Sequence, residues 1–207
     1  MKIKFLGHAT FLIDDLLIDP FIKENPLCPV KVKDIKCKII CITHDHWDHL
    51  GDAFEIAKDN NATIVGITDI TKKADKKKLK TEHMNIGGSI KVGEWQITLV
   101  PAIHSGNPGG FVLRKNNKTI YHSGDTGLFM DMMLIGEHNI DVALLPIGGR
   151  YTMDIEQAIE ACKLLKCKKA IPMHYNTWDA IKVNPEEFKK KAPCEVLILK
   201  PGETCEV

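Results

Sequence analysis

Residues 43–49 read Thr-His-Asp-His-Trp-Asp-His, which places three histidines and an aspartate that can bind metal among the six residues 44–49. His44 and His46 are two apart and point to one side of an extended segment. Asp48 and His49 follow once the chain turns and face a second point of the same cavity, so one tight loop can feed two metal ions. Imidazole and carboxylate are ligands that zinc takes at ~2.0–2.2 Å. A closed structural zinc site usually recruits thiolates, and this loop has none. The pattern therefore reads as an open, catalytic metal site.

Three further candidates stand directly after apolar runs. His104 follows Val100-Pro101-Ala102-Ile103, Asp125 follows Ile120-Tyr121-His122-Ser123-Gly124, and His174 follows Ala170-Ile171-Pro172-Met173. Strand ends are where ligand sites gather in α/β sheets. Four strand ends, each delivering a His or Asp, are far more specific than one histidine.

The elements that must position them read as follows. Ile3/Phe5, Phe11/Ile13 and Leu16/Ile18 alternate as a β-meander with a turn at Asp14-Asp15. Residues 21–35 carry two prolines and read as a loop. Cys37–Thr43 is nearly continuously apolar, as expected of a strand covered on both faces. Helices are expected at 51–60, 69–80, 128–138 and 154–166, with strands at 62–67, 96–103, 110–114, 119–122, 141–147, 168–173 and 195–199. Asp154 with Gln157 forms a capping-box signature, and Asn184-Pro185-Glu186-Glu187 is a helix start. Strands come first and helices follow, which suggests α/β layers with sheets inside.

Composition narrows the function. Lys+Arg 28 against Asp+Glu 27 leaves a net charge of +1, and only Arg114 and Arg150 are arginine. No nucleic-acid partner is expected from that balance. No apolar run reaches the ~18–20 residues of a membrane span, and the start carries no signal pattern. The expectation is a cytoplasmic protein with residues 1–207 as one domain. Seven cysteines without a C-x-x-C read as reduced, structural residues. Lys72, Lys73, Lys76, Lys77 and Lys80 read as one solvated helical face. His122 reads as structural, and His83 and His138 as surface residues. There is no G-x-x-x-x-G-K, G-x-G-x-x-G or G-x-S-x-G, so nucleotide-cofactor chemistry and a serine triad have no support.

The H-x-H-x-D-H string with a later His, Asp and His resembles the metallo-β-lactamase-like superfamily. The resemblance extends over Gly7-His8-Ala9, Ile18-Asp19-Pro20-Phe21, Asn25-Pro26-Leu27, Leu50-Gly51-Asp52-Ala53, Met84-Asn85-Ile86-Gly87-Gly88, 121–127 (YHSGDTG), 145–149 (LPIGG) and 172–177 (PMHYNT). It looks most similar to small metal-dependent hydrolases akin to ascorbate-6-phosphate lactonase and, more distantly, to N-acylphosphatidylethanolamine phospholipase D. It implies an αββα sandwich with two divalent metals at one edge, zinc or alternatively manganese. His44, His46 and His104 would hold the first metal; Asp48, His49 and His174 the second; Asp125 would bridge. Two zinc ions ~3.5–4 Å apart hold a hydroxide as nucleophile, because coordination lowers the pKa of water to ~7. Asp48 or Asp125 could take a proton as the intermediate collapses.

His8 is expected to act beside the metals, either as donor to substrate or leaving group or as a satisfied histidine at a strand end. Asp19 could orient a ligand histidine. Asp45 and Trp47 stand where related sequences carry small residues, and Trp47 is expected at the mouth. Trp178 and Tyr175 are candidates for the pocket rim. The loop from His104 to Pro108 is short for the family, which leaves open whether that loop contacts substrate. The implied reaction is hydrolysis of an ester, lactone or phosphodiester of a small anionic metabolite, such as a phosphorylated sugar lactone. Alternatives are an iron-dependent redox enzyme of the same fold, such as a persulfide dioxygenase, and a non-catalytic metal-binding module. The expected partner is a small-molecule substrate; self-association into a homo-oligomer is left open.

Overall fold

A computed structural model describes residues 1–207. The first seven-stranded sheet contains β1 (Lys2–Gly7), β2 (Thr10–Ile13), β3 (Leu16–Ile18), β4 (Ile39–Ile42), β5 (Thr63–Ile67) and β6 (Lys80–Met84), with β14 (Thr204–Glu206) beside β1. The second contains β7 (Ser89–Val92), β8 (Trp95–Pro101), β9 (Gly109–Lys115), β10 (Lys118–His122), β11 (Val142–Pro146), β12 (Lys169–Met173) and β13 (Glu195–Val196), in consecutive order across the sheet. β3 to β6 are parallel, as are β10 to β13; the remaining pairs are antiparallel. The helices are α1 (Trp47–Leu50), α2 (Ala53–Asn60), α3 (Thr68–Asp75), α4 (Met132–Gly136), α5 (Ile155–Leu165) and α6 (Pro185–Lys191).

The strand period of two sorts side chains between layers. On β4, Ile39 and Cys41 join a core shared by both sheets, while Ile40 and Ile42 pack outward with Ile56, Ala57 and Ile70 of α2 and α3. On β11, Val142 and Leu144 face the shared core; Ala143 and Leu145 pack with Ala158, Ile159 and Cys162 of α5. Trp95, Phe111 and Ile120 of the second sheet meet Phe5, Phe11 and Ile18 of the first. The result is the expected αββα sandwich. α5 starts on the anticipated capping box: Asp154 Oδ1 accepts from the Gln157 N–H at 2.9 Å, and the Asp154 N–H donates to Gln157 Oε1 at 3.3 Å.

Several expectations need correction. The basic helix ends at Asp75, and Lys78 sits at φ +59. Lys80 therefore belongs to β6, an edge strand with exposed Lys80, Glu82 and His83, not to a helical face with Lys72. Charged edges of this kind resist strand addition but hide the apolar alternation that marks a strand. β7 and β14 were likewise not legible. β13 covers only Glu195–Val196, and α4 only Met132–Gly136. No helix is long and apolar enough to cross a membrane, and all seven cysteines are free of disulfides.

Candidate metal centre

The ends of β4, β8, β10 and β12 converge at one edge of the sandwich. The loop after β4 is built as expected: His46 is extended (φ −63, ψ 149) and caps the single turn α1, which carries Asp48 and His49. Gly124 lets β10 turn beside this loop. Its φ is +59, and an added Cβ would lie 2.8 Å from Thr43 Cβ. Gly148 admits the last ligand segment, since a Cβ there would lie 2.3 Å from the His174 carbonyl oxygen.

The seven residues expected as ligands come together. Nitrogens of His44, His46 and His104 lie within 4.8 Å of one another, as do ligand atoms of His44, His49 and Asp125 and those of Asp48, His49 and His174. His44 Nε2 is 3.0 Å from His46 Nδ1, and His104 Nε2 is 3.3 Å from the same atom. Asp125 occupies the middle: Oδ1 is 3.3 Å from His49 Nε2, while Oδ2 is 3.1 Å from His174 Nε2 and 3.6 Å from His104 Nε2. Asp48 Oδ2 is 3.9 Å from both His49 Nε2 and His174 Nε2.

The imidazoles behind this cluster are held by hydrogen bonds that fix their tautomers. Fully buried Asp19 accepts from the Thr43 N–H at 2.8 Å and the Thr43 hydroxyl at 2.6 Å. Its Oδ2 also accepts from His49 Nδ1–H at 2.7 Å, which turns His49 Nε2 towards Asp125. The Thr43 hydroxyl, having donated to Asp19, accepts from His44 Nδ1–H at 3.1 Å, so His44 Nε2 presents a lone pair. Thr43 thus matters more than the sequence suggested; its place immediately before the first histidine was the available signal. Asp19 has the orienting position anticipated for it.

His8 sits differently from one of its two expectations. It is fully buried, with Nε2 3.0 Å from Asp48 Oδ2 and Nδ1 2.8 Å from the Thr177 hydroxyl. Both ring nitrogens are engaged, and no atom of His8 lines the cavity. Burial and the neighbouring His174 push its imidazole down to about 4, against the pull of Asp48, so it is neutral near pH 7. His122 is structural as expected. Its Nε2–H donates to the Ala9 carbonyl at 2.9 Å, and its Nδ1 accepts from the Gly124 N–H at 3.1 Å.

His8, Asp19 and His174 have φ of +59, +44 and +53. Non-glycine residues avoid this region, at a cost of order 1 kcal/mol or more each, and such strain concentrates at functional sites.

The electrostatics favour a cation. Burial raises the Asp125 pKa, but the imidazoles of His49 and His174 outweigh it and hold the carboxyl well below its usual range. Burial lowers His49, yet Asp125 and Asp19 outweigh it and lift the imidazole well above its ordinary value. Burial, with the adjacent His49, pushes His44 down to about 3. Three buried atoms of the candidate ligands, His49 Nε2, Asp125 Oδ1 and His174 Nδ1, make no hydrogen bond, the first two meeting only each other at 3.3 Å. Such orphaned atoms call for an ion or another occupant. The donor set of imidazole and carboxylate, without sulfur, fits zinc or manganese.

Above the cluster lies a cavity of about 410 Å³ lined by His46, Asp48, His104, Asp125 and His174 together with Trp47, Ser105, Tyr151 and Trp178. Trp47 is 59% exposed and stacks on Trp178 at 5.8 Å, which puts it at the mouth as expected. Tyr175 instead packs against the outer core of the second sheet. No lysine or arginine lines the cavity.

The sandwich and the position of this cluster define the class. Residues 14–175 match the beta-lactamase superfamily domain model, and the chain belongs to that family. Within it, the chain is 50% identical to a UPF0173 metal-dependent hydrolase of Staphylothermus marinus, across 98% of this chain and 97% of that protein. A UPF0173 metal-dependent hydrolase of Archaeoglobus fulgidus is 46% identical, across 100% of this chain and 99% of the relative. Among solved structures, Igni18, a metallo hydrolase of Ignicoccus hospitalis, superposes with a TM-score of 0.92 at 41% identity, covering 100% of this chain and 98% of that one.

Proposed function

We propose that this chain is a hydrolase with two divalent cations, acting on an ester, lactone or phosphodiester bond of a small molecule. His44, His46 and His104 would hold one cation and Asp48, His49 and His174 the other, with Asp125 between them. The observation that carries this reading is the convergence of His44, His46, His104, Asp48, His49, His174 and Asp125 on one sheet edge, where His49 Nε2 and Asp125 Oδ1 meet at 3.3 Å and neither makes a hydrogen bond to any other group. Imidazole nitrogens and carboxylates crowded this closely and this deeply are stabilised by a cation among them. The relatives' shared description as metal-dependent hydrolases supports the same class.

When bound, the metals would supply Lewis acidity and an activated water. The protein's own contribution is placement. Asp19 and Thr43 orient His49 and His44, and His8 orients Asp48. The Asp48 carboxylate keeps a second oxygen, Oδ1, for a proton released during turnover. Trp47, Trp178 and Tyr151 give the cavity a wall that holds an apolar or planar portion of the substrate and excludes water.

The expected preference for an anionic metabolite has no side-chain counterpart here, because the wall offers no cationic group. Any anionic group would meet the cations and neutral donors such as the Ser105 and Tyr151 hydroxyls. The reading therefore shifts towards uncharged esters and lactones with an apolar flank, with phosphodiesters as the anionic arm of the test. The test is a screen of metal-reconstituted and metal-stripped protein over these three substrate types. Metal-dependent turnover of at least one type is expected. Iron retained through purification with oxygen consumption, and no hydrolysis of any type, would overturn it in favour of redox chemistry. Metal binding with no turnover of either kind would leave a binding module.

A further inference from the structure

Three thiols meet on the outer side of the second sheet. Cys162 lies in the last turn of α5, Cys167 precedes β12, and Cys194 stands between α6 and β13. Their sulfur atoms all lie within 4.8 Å of one another, and the Cys167–Cys194 separation is 3.8 Å. Cys162 and Cys167 are buried, and Cys194 is half-buried. The sequence treats each as an isolated small apolar residue, because their spacing matches no metal motif. The parallel β11–β12–β13 arrangement brings them together.

The separations suit a metal better than a disulfide. A disulfide needs sulfurs ~2.05 Å apart. Metal–thiolate bonds of ~2.3 Å instead put two sulfurs ~3.8 Å apart on a tetrahedral ion and ~4.0 Å apart on a trigonal one. The Cys167 and Cys194 thiols touch at 3.8 Å, and the thiolate is the form that binds metal.

We propose that Cys162, Cys167 and Cys194 form a second metal site, a three-thiolate clip for a soft cation, Cu(I) or Zn(II). The donor set contains sulfur alone, which selects soft cations over magnesium, calcium or manganese. The half-buried side of Cys194 leaves room for a water as fourth ligand on zinc. This site is remote from the His/Asp centre. Cys167 and His174 bracket the two ends of β12, up to ~23 Å apart at ~3.3 Å per residue. Its role is structural: it pins the two-residue strand β13 and the end of α5 to β12, and metal binding here is folding free energy.

The test uses the full chain, reduced and stripped of metal, titrated separately with Cd(II) as a zinc-like probe and with Cu(I). The readout is thiolate-to-metal charge-transfer absorption, which a sulfur-free His/Asp centre cannot produce. Wild type should develop the band with one equivalent beyond the metal taken by the His/Asp centre, and its melting temperature should rise. Cys194→Ser, at a half-buried position, should fold normally, weaken this binding by ~100-fold or more and lose most of the band. Its hydrolytic activity should match wild type, and Cys28→Ser should behave as wild type throughout. The proposal fails if folded, reduced wild type gives no band, or if the band survives in Cys194→Ser. It also fails if Cys167 and Cys194 oxidise to a disulfide in air while no cation is held.

Discussion

The Asp19 carboxylate receives the Nδ1–H of His49 at 2.7 Å, with neither side chain exposed to solvent. Asp19 touches no substrate and belongs to β3's end, yet it fixes which His49 nitrogen faces Asp125. Asp19→Asn should weaken metal binding by ~10–100-fold, as loss of a ligand's orienting partner does. Excess metal should restore much of the activity. Asp125→Ala should lose more and resist rescue, because Asp125 lies among His49, His104 and His174. Metal content after dialysis and turnover at saturating metal decide between them. Equal losses with metal retained would contradict the ranking.

Metal stoichiometry follows from the same geometry. With Asp125 placed between the two proposed three-residue sets, reconstitution with zinc or manganese should reach close to two ions in the His/Asp centre. Counting is cleanest in Cys194→Ser, where the thiol site does not contribute. Saturation at one ion per chain would sink the dinuclear reading.

The candidate ligands were legible in the sequence for two reasons: His44, His46, Asp48 and His49 are crowded into six residues, and His104, Asp125 and His174 each follow an apolar strand. β4 was legible because Ile39–Ile42 is apolar on both faces, and both faces are covered. What escaped depends on contacts distant in sequence. β14 exists as a strand because Lys2 and Lys4 of β1 pair with Glu206 and Thr204, which nothing near Thr204 announces. The engagement of both His8 nitrogens requires Asp48 and Thr177, 40 and 169 residues away. The thiol cluster joins residues from three elements. Left-handed backbone at His8, Asp19 and His174 has no sequence marker, since glycine is the residue expected there.

The aromatic wall makes a kinetic prediction. Trp47→Ala and Trp178→Ala remove one partner each of the stacked pair, while the metal ligands keep their own supports. Aromatic contacts of this kind contribute ~0.5–1.5 kcal/mol, which corresponds to ~2–10-fold in binding. Each variant should raise KM by about that factor for esters with an apolar flank, with kcat little changed. Steady-state kinetics on matched acetyl and benzoyl esters would show it. Equal effects on both esters would remove these rings from substrate contact.

His122 predicts a pH effect on stability in metal-stripped protein. Burial lowers its folded pKa below the ~6.5 of an unfolded histidine. Below that value the unfolded chain takes up a proton that the folded chain refuses, so stability falls with pH. The contribution is fully present above ~6.5 and is lost downward towards the folded pKa. His8 and His44, lowered to about 4 and about 3, act with the same sign. Urea unfolding at about pH 7 and about pH 5 should give a shallower fall in His122→Asn than in wild type. Identical slopes would show that His122 takes no part in this linkage.

His8 separates two ways of assisting the reaction. A proton donor to the leaving group needs a nitrogen facing the cavity, and His8 has none: Nε2 is on Asp48 and Nδ1 on Thr177. Its action must pass through the position of Asp48. His8→Ala should therefore keep metal in the centre but lower kcat, and the loss should be similar for activated nitrophenyl esters and for alkyl esters with poor leaving groups. General acid catalysis would instead spare the nitrophenyl esters and cost the alkyl esters ~10²–10⁴-fold. His8→Asn, which can still donate an N–H towards Asp48, should recover part of the rate, and Thr177→Val should reproduce a milder form of the defect. Selective loss on poor leaving groups, unrelieved by His8→Asn, would make His8 the proton donor after all and would require it to turn away from Asp48 during turnover.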